Sequence, residues 1–191
     1  MTNSKSAVTM SRFRTVDLTY IALFAVLIAV CSWVSIFISS VPFTLQTFAV
    51  FAALGMLGGR RGTYAVLVYL LLGAVGLPVF AGFKGGLGAL LGTTGGYILG
   101  FLGSALVYWL LTKLLGDSFP VMVFAMLVGL LVCYAFGTAW FMAVYTRTNG
   151  PLTWMAALSW CVFPYILPDV CKLALALLLS RSVGKYVKYI K

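Results

Sequence analysis

Two opposite charges lie close together in an apolar stretch near the carboxyl end of the chain. In the segment FPYILPDVCKLALALLL, residues 163–179, Asp169 and Lys172 are three residues apart. On a helix this spacing puts both side chains on one face. A carboxylate accepts hydrogen bonds from N–H groups and an ammonium donates to a carbonyl oxygen, so the pair suits a neutral urea or amide. The alternatives are an ion pair that only neutralises itself, and a proton relay.

The composition places these charges in a membrane. Of the 191 residues, 63% are hydrophobic and 8% are charged, and the mean hydropathy is +1.10. Soluble proteins average roughly 25% charged residues. We therefore expect a single membrane domain over residues 1–191, in contact with the lipid bilayer. The first apolar run is too long for a signal peptide and no Ala-x-Ala-like site follows it, so no cleavable signal is expected.

Six apolar runs are candidates for crossing the bilayer, which takes about 20 residues of helix. Because the runs are continuous rather than alternating, they predict helices and not a barrel. The expected fold class is an all-α integral membrane protein with six transmembrane helices, at residues 18–38, 44–57, 63–80, 94–115, 119–145 and 152–179.

The basic residues predict the orientation. With six spans, one side of the membrane receives Lys5, Arg12, Arg14, Arg60, Arg61, Lys113, Arg181, Lys185, Lys188 and Lys191. The other side receives only Lys84 and Arg147. Such a bias puts both termini in the cytoplasm. Topology thus accounts for the net charge of +10, and nucleic acid is not expected as a partner.

The polar residues of the chain exclude most kinds of enzyme activity. There is no histidine, and the acids are Asp17, Asp117 and Asp169. A catalytic metal site needs clustered ligands and a Ser-His-Asp triad needs histidine, so we expect no metal, no catalytic residues and no enzyme activity. The four cysteines lie in apolar runs and are interpreted as free thiols. No phosphate-binding P-loop is present, so the chain is not expected to bind ATP through such a loop. We expect no cofactor in this chain, and any ATP would be used by other subunits.

A glycine-rich loop is the second candidate for ligand binding. It reads GLPVFAGFKGGLGALLGTTGGY, residues 76–97, and falls on the outer side. Lys84, together with loop amides such as that of Gly86 and with Thr94, could hold an anionic tail. Close helix packing is the alternative for the glycines at its end.

The first outer loop, SSVPFTLQTF, adds polar residues near the same side. Thr44 and Gln46 stand among apolar neighbours just before the second span. Gln46 is a candidate ligand contact, whereas Thr44 also suits a helix cap.

Three segments together resemble one family. PVFAGFKGGLGALLGTTGGY, VPFTLQTF and PDVCK are similar to the BioY family, the biotin-specific S components of energy-coupling-factor (ECF) vitamin transporters. The resemblance covers essentially the whole chain. Thr93 departs from it, because proline is expected before TGGY.

The resemblance implies a subunit of the prokaryotic cell membrane that captures biotin from outside. A transmembrane scaffold (T) subunit and two cytoplasmic ATPase (A) subunits would then drive uptake. Asp169 and Lys172 would match the ureido ring of biotin and Lys84 its valerate. The candidates for enclosing the apolar part of biotin are Tyr97, Trp154 and Trp160.

The resemblance also implies a docking face on the first helix. S components contact the scaffold through an Ala-x-x-x-Ala pattern, which Ala25 and Ala29 match. The competing interpretations are an S component for another vitamin, a small ion-coupled carrier acting alone, and a purely structural membrane subunit.

Overall fold

The computed structural model describes residues 14–36 and 41–187, with side chains described as far as residue 183. The elements are α1 (Thr15–Trp33), β1 (Ser35–Ile36), β2 (Phe43–Thr44), α2 (Gln46–Ala74), a 3-10 turn (Ala81–Phe83), α3 (Leu87–Leu91), α4 (Gly95–Leu115), α5 (Phe119–Asn149), α6 (Trp154–Cys161) and α7 (Phe163–Val187). Within the described ranges, four helices are long and apolar enough to cross a membrane, namely α1, α4, α5 and residues 163–183 of α7. The mainly helical fold is therefore confirmed, with four helices that could cross a membrane.

The first helix is shorter than predicted. It ends at Trp33, and the chain turns into a small antiparallel hairpin in which Ser35 lies opposite Thr44. The predicted end of the first span, residues 37–38, lies outside the described residues. The hairpin brings the end of α1 and the start of α2 together at one end of the helices.

Helix α2 covers two predicted spans and departs from helical geometry at one residue. Gly58 has φ +80° and ψ 168°, a conformation that glycine adopts without steric cost. The expected loop at residues 58–62 is therefore reduced to a single residue. The helix ends at Ala74 rather than at residue 80, because Gly76 has φ +110° and Pro78 follows.

The last two predicted spans also change their limits. Helix α5 continues to Asn149 and stops at Gly150, where φ is +96°. The final span is divided at Val162 into α6 and α7. Helix α7 runs through Pro168 as one element.

An ion pair joins the start of α1 to the break in α2. Arg61 lies 2.9 Å from one carboxylate oxygen of Asp17, and the backbone N–H of Arg14 donates to the other at 3.0 Å. Asp17 is 4% exposed. The start of α1 and the break in α2 are therefore at the same level. Several basic residues used to predict orientation lie outside the described residues or side chains, namely Lys5, Arg12, Lys185, Lys188 and Lys191.

We expect this ion pair to add about 1 kcal/mol to stability, because Asp17 is buried while Arg61 is partly exposed. The measurement is a double-mutant cycle of Asp17→Asn, Arg61→Gln and the double variant, with unfolding followed in mixed detergent. Strictly additive single effects would show that the two side chains do not interact.

Helices α4 and α5 pack closely through small residues. We call this contact the α4–α5 seam, formed by Gly96, Gly100 and Ser104 of α4 against Gly129, Cys133 and Gly137 of α5. The members recur every fourth residue, which lets two helices approach closely. The Ser104 hydroxyl donates to the carbonyl of Gly129, and a Cβ on Gly96 would lie 2.2 Å from Cβ of Trp140. The packing interpretation of the TGGY glycines holds for Gly96.

The structure does not present the expected docking residues to a partner. Ala25 is 1% exposed and Ala29 is 5% exposed, and both belong to the hydrophobic core. The spacing put them correctly on one face of α1, but that face packs into the protein's own interior, against α2. The opposite face, which includes Ala22, Val26 and Val30, is exposed.

Candidate ligand-binding site

A cavity of about 630 Å³ lies where the loops and helix ends meet. This is within the range of small-molecule sites. Seven predicted residues line it, namely Thr44, Gln46, Lys84, Thr94, Tyr97, Asp169 and Lys172. Gly86 was also predicted as a ligand contact, but it does not line the cavity. Its neighbour Gly85 does. Gly86 instead precedes α3, with φ +84°.

The buried end of the cavity holds an ion pair. Lys172 Nζ donates to Asp169 Oδ1 at 2.8 Å, and each residue is 5% exposed. The pair is fixed from two other elements. The hydroxyl of Tyr134, on α5, donates to Asp169 Oδ2 at 2.6 Å, and Lys172 Nζ lies 3.8 Å from the ring centroid of Phe43, on β2. Both charges are thus held in place by the α5 and β2 side chains.

Gln46 is held by a contact within α2. Its side-chain N–H donates to the hydroxyl of Tyr69 at 3.0 Å, and its backbone N–H donates to the Thr44 hydroxyl at 3.3 Å. The ring of Tyr69 meets Phe80 edge to face at 5.5 Å, and Phe80 lines the cavity. One wall of the cavity is therefore fixed before any ligand arrives.

The glycine-rich loop carries a cation to the open end of the cavity. Lys84 is exposed and lines the cavity. Its ammonium has no hydrogen bond or ion pair within residues 14–36 and 41–183. The loop folds tightly, since a Cβ on Gly85 would lie 2.2 Å from the carbonyl oxygen of Leu77. Lys84 is thus a cation available to a ligand.

Aromatic residues close the sides of the cavity. Tyr97 is hydrogen-bonded to Thr138, with 2.8 Å between their hydroxyls, and Tyr165 donates to the carbonyl of Val41. Tyr97 lines the cavity as predicted. Trp154 and Trp160 do not, and they are 62% and 38% exposed.

Sequence reasoning missed Tyr134 and Tyr165. Tyr165 is four residues before Asp169, so helical spacing alone could have put it on the same face. Tyr134 had no such signal, because it stands among apolar residues of α5 and reaches Asp169 only through the packing of the helices. Cys133 and Cys161 also line the cavity, and all four cysteines are free.

This arrangement can bind a ligand that is neutral at one end and anionic at the other. The ion pair offers a hydrogen-bond acceptor and a donor with no net charge, and Lys84 offers a positive charge at the open end. In the part of the chain that is described, no group of three or more possible metal ligands occurs.

The family model, the relatives and a solved structure that this chain resembles all indicate the same family. The model of the BioY family matches residues 3–189. The chain is 40% identical to the biotin transporter BioY of Thermotoga maritima over 85% of this chain and 92% of that protein. It is 37% identical to the probable biotin transporter BioY of Pyrococcus horikoshii, over 87% and 95%. It also resembles the crystal structure of an S-component for biotin from an ECF-type ABC transporter, with a TM-score of 0.74 and 29% identity over 88% of this chain and 90% of that one.

Proposed function

The chain belongs to the BioY family, and from that membership we propose that it is the biotin-binding S component of an ECF transporter. It is a transport subunit and not an enzyme. The observation that carries the proposal is the cavity, with a neutral ion pair at its buried end and an available cation at its exposed end. Biotin has the matching order of groups, with a ureido ring at one end and a carboxylate at the other.

The ureido ring is the ligand group for the ion pair. Its carbonyl accepts a hydrogen bond from Lys172, which has donors left after bonding to Asp169. An N–H group of the ring donates to Asp169, whose carboxylate has further lone pairs. Bonds to charged partners are each worth about 1.5–3 kcal/mol, so this end contributes most of the affinity.

The valerate chain extends toward the open end of the cavity. Its carboxylate is neutralised by Lys84 and accepts hydrogen bonds from the Thr94 hydroxyl and from nearby loop amides. Thr44, Gln46 and Tyr97 enclose the middle of the ligand. Gly86 acts through the backbone turn that it permits, because it does not line the cavity.

The six predicted spans fit the structure if each half of α2 crosses on its own. Residues 46–57 and 59–74 extend about 18 Å and about 24 Å at 1.5 Å per residue, which is less than the roughly 30 Å of the hydrocarbon core, so in this arrangement the outer ends of both halves stop short of the outer membrane surface. Arg60 and Arg61 follow the break directly, and charges are costly at mid-membrane, so the break belongs at a membrane surface. That surface is the cytoplasmic one by the positive-inside rule, which puts both termini in the cytoplasm and the cavity outside. The whole chain then forms one domain of the prokaryotic cell membrane.

A scaffold subunit and two ATPase subunits complete the transporter in this proposal, and ATP is used by the ATPases. The docking surface is the lipid-facing side of the fold. Ala25 and Ala29 take part only if α1 moves away from the interior.

The test of the function is a titration of the detergent-purified chain with biotin, alongside riboflavin and thiamine. We expect saturable one-to-one binding of biotin and none of the other two. Preference for another vitamin would overturn biotin as the ligand. Uptake into proteoliposomes driven by an ion gradient, with no partner subunits, would instead support a carrier acting alone.

Lys84→Gln is expected to weaken biotin binding about five- to tenfold, because an exposed charge contributes about 1 kcal/mol or slightly more. Biotin methyl ester, which has no carboxylate, should bind both proteins equally. Calorimetric titration with the two ligands measures the difference.

The matched control is Arg147→Gln, which removes an exposed cation that does not line the cavity. Its affinity for biotin should stay within twofold of the native value. An equal loss in both variants would mean that Lys84 acts only through the overall charge of the outer surface.

A further inference from the structure

Phe43 faces Lys172 from outside the cavity. The Lys172 ammonium lies 3.8 Å from the centroid of the Phe43 ring, which is within the range of a cation–π contact. Lys172 and Asp169 both line the cavity, whereas Phe43 does not. The aromatic ring therefore covers a side of the ammonium that a ligand in the cavity does not reach.

The backbone around Phe43 is anchored independently of this contact. Phe43 lies opposite Ile36 in the hairpin of β1 and β2. The hydroxyl of Tyr165 donates to the carbonyl of Val41, two residues before Phe43. Tyr165 belongs to α7, the helix that also carries Lys172. The ring is thus brought to the ammonium by the hairpin and by α7, and the cation does not have to hold it there.

The contact with the ring leaves one hydrogen-bond donor of Lys172 for a ligand. An ammonium has three N–H groups, which diverge from the nitrogen. One of them bonds to Asp169 Oδ1 at 2.8 Å, and the face of Phe43 takes up a second direction. The third remains for a ligand in the cavity, which Lys172 lines. Because two of the three directions are occupied, the direction of the third is restricted before any ligand binds.

We infer that Phe43 is a positioning residue for biotin binding that acts through Lys172 without touching the ligand, an inference that rests on the proposed function. Its ring directs the donor from which the ureido carbonyl accepts. It also compensates the ammonium for the water that biotin displaces from the cavity, since a cation–π attraction strengthens when the cation is desolvated. Both effects raise the affinity for biotin.

Graded fluorination of Phe43 tests the role of the ring, because each fluorine weakens the negative charge of the ring face and changes the size of the side chain little. The proteins carry phenylalanine, difluorophenylalanine or trifluorophenylalanine at position 43. We expect the affinity for biotin to fall in that order, by about fivefold in total. Phe43→Leu, which removes the ring, should weaken biotin about five- to thirtyfold. Calorimetric titration measures each step.

The matched control is the same fluorination at Phe48, which is also half-buried and does not line the cavity. Its affinity for biotin should stay within twofold of the native value. If all ring variants at position 43 bind biotin equally, the ring acts only through its shape, and that result would overturn the inference. Equal losses at both positions would overturn it as well. Failure of the native chain to bind biotin would instead count against the proposed function.

A second measurement needs no ligand, so it separates the contact with the ring from the identity of the ligand. In the empty chain labelled with ¹⁵N-lysine, the ammonium protons of Lys172 should resonate upfield of those of exposed lysines, because they lie over an aromatic face. The signal is identified as the one that disappears in Lys172→Met. Phe43→Leu should move it downfield. A signal that stays in place in this variant would overturn the inference, whether or not biotin binds.

Discussion

Asp169→Asn is expected to lower the affinity for biotin by about a hundredfold or more. The change removes a charged acceptor from the ligand and leaves the Lys172 ammonium buried without its counter-ion. Breaking a buried ion pair from one side costs about 3–5 kcal/mol, so the empty protein should also lose stability. Titration with biotin and thermal unfolding in detergent measure the two effects separately.

The double variant Asp169→Asn/Lys172→Met separates binding from stability. With both charges removed, no buried ion remains uncompensated, and stability should return close to the native value. Biotin binding should not return, because both partners of the ureido ring are gone. Asp117→Asn, outside the cavity lining, is the control for loss of an acidic residue.

Two outcomes would contradict this account. If the double variant binds biotin as tightly as the native chain does, the ion pair has only a structural role. If Asp169→Asn and the double variant both bind normally, the ureido ring lies elsewhere in the cavity.

Gly96→Ala should have the second largest effect, through packing rather than through a ligand contact. The added Cβ would lie 2.2 Å from Cβ and 2.5 Å from Cγ of Trp140. The Cβ of Trp140 is attached directly to the α5 backbone, so the two helices must separate at the α4–α5 seam. Overpacking of this kind costs about 1–3 kcal/mol. Biotin affinity should fall by tenfold or more, because Thr94 and Tyr97 lie at this end of α4 and line the cavity.

Gly103→Ala is the matched control on the same helix. A Cβ there meets only Cγ1 of Val132, at 3.5 Å, which is ordinary contact. The variant should bind biotin normally and unfold at or slightly above the native temperature, since alanine favours helix over glycine. If both variants behave alike, the effect is one of helix propensity and not of the seam.

The sequence could predict which residues share one face of a helix. It could not predict which face of the helix is buried. Asp169 and Lys172 were expected on one face because they are three residues apart, and the structure pairs them. The same reasoning put Ala25 and Ala29 on one face. The spacing could not show that this face is buried, because α1 is apolar on all sides and neither face differs from the other in polarity.

Contacts between helices also could not be predicted from the sequence, because they depend on how the helices pack. Tyr134 reaches Asp169 only because α5 and α7 are both packed around the cavity, and nothing in the sequence near Tyr134 marks it. The break in α2 lies between two of the predicted spans, where a loop was expected. A single glycine in a left-handed conformation replaces that loop, because only Gly58 leaves helical geometry.

The pairing of Asp169 with Lys172 also has an electrical consequence. A lone charge moved through a potential of 100 mV exchanges about 2.3 kcal/mol with the field. The ion pair carries no net charge, so shifting it along the membrane normal requires almost no electrical work. With biotin bound in the proposed way, its carboxylate cancels Lys84, and the loaded site becomes neutral from end to end. The membrane voltage would then act on the empty site, through Lys84, and would do almost no work on the loaded site.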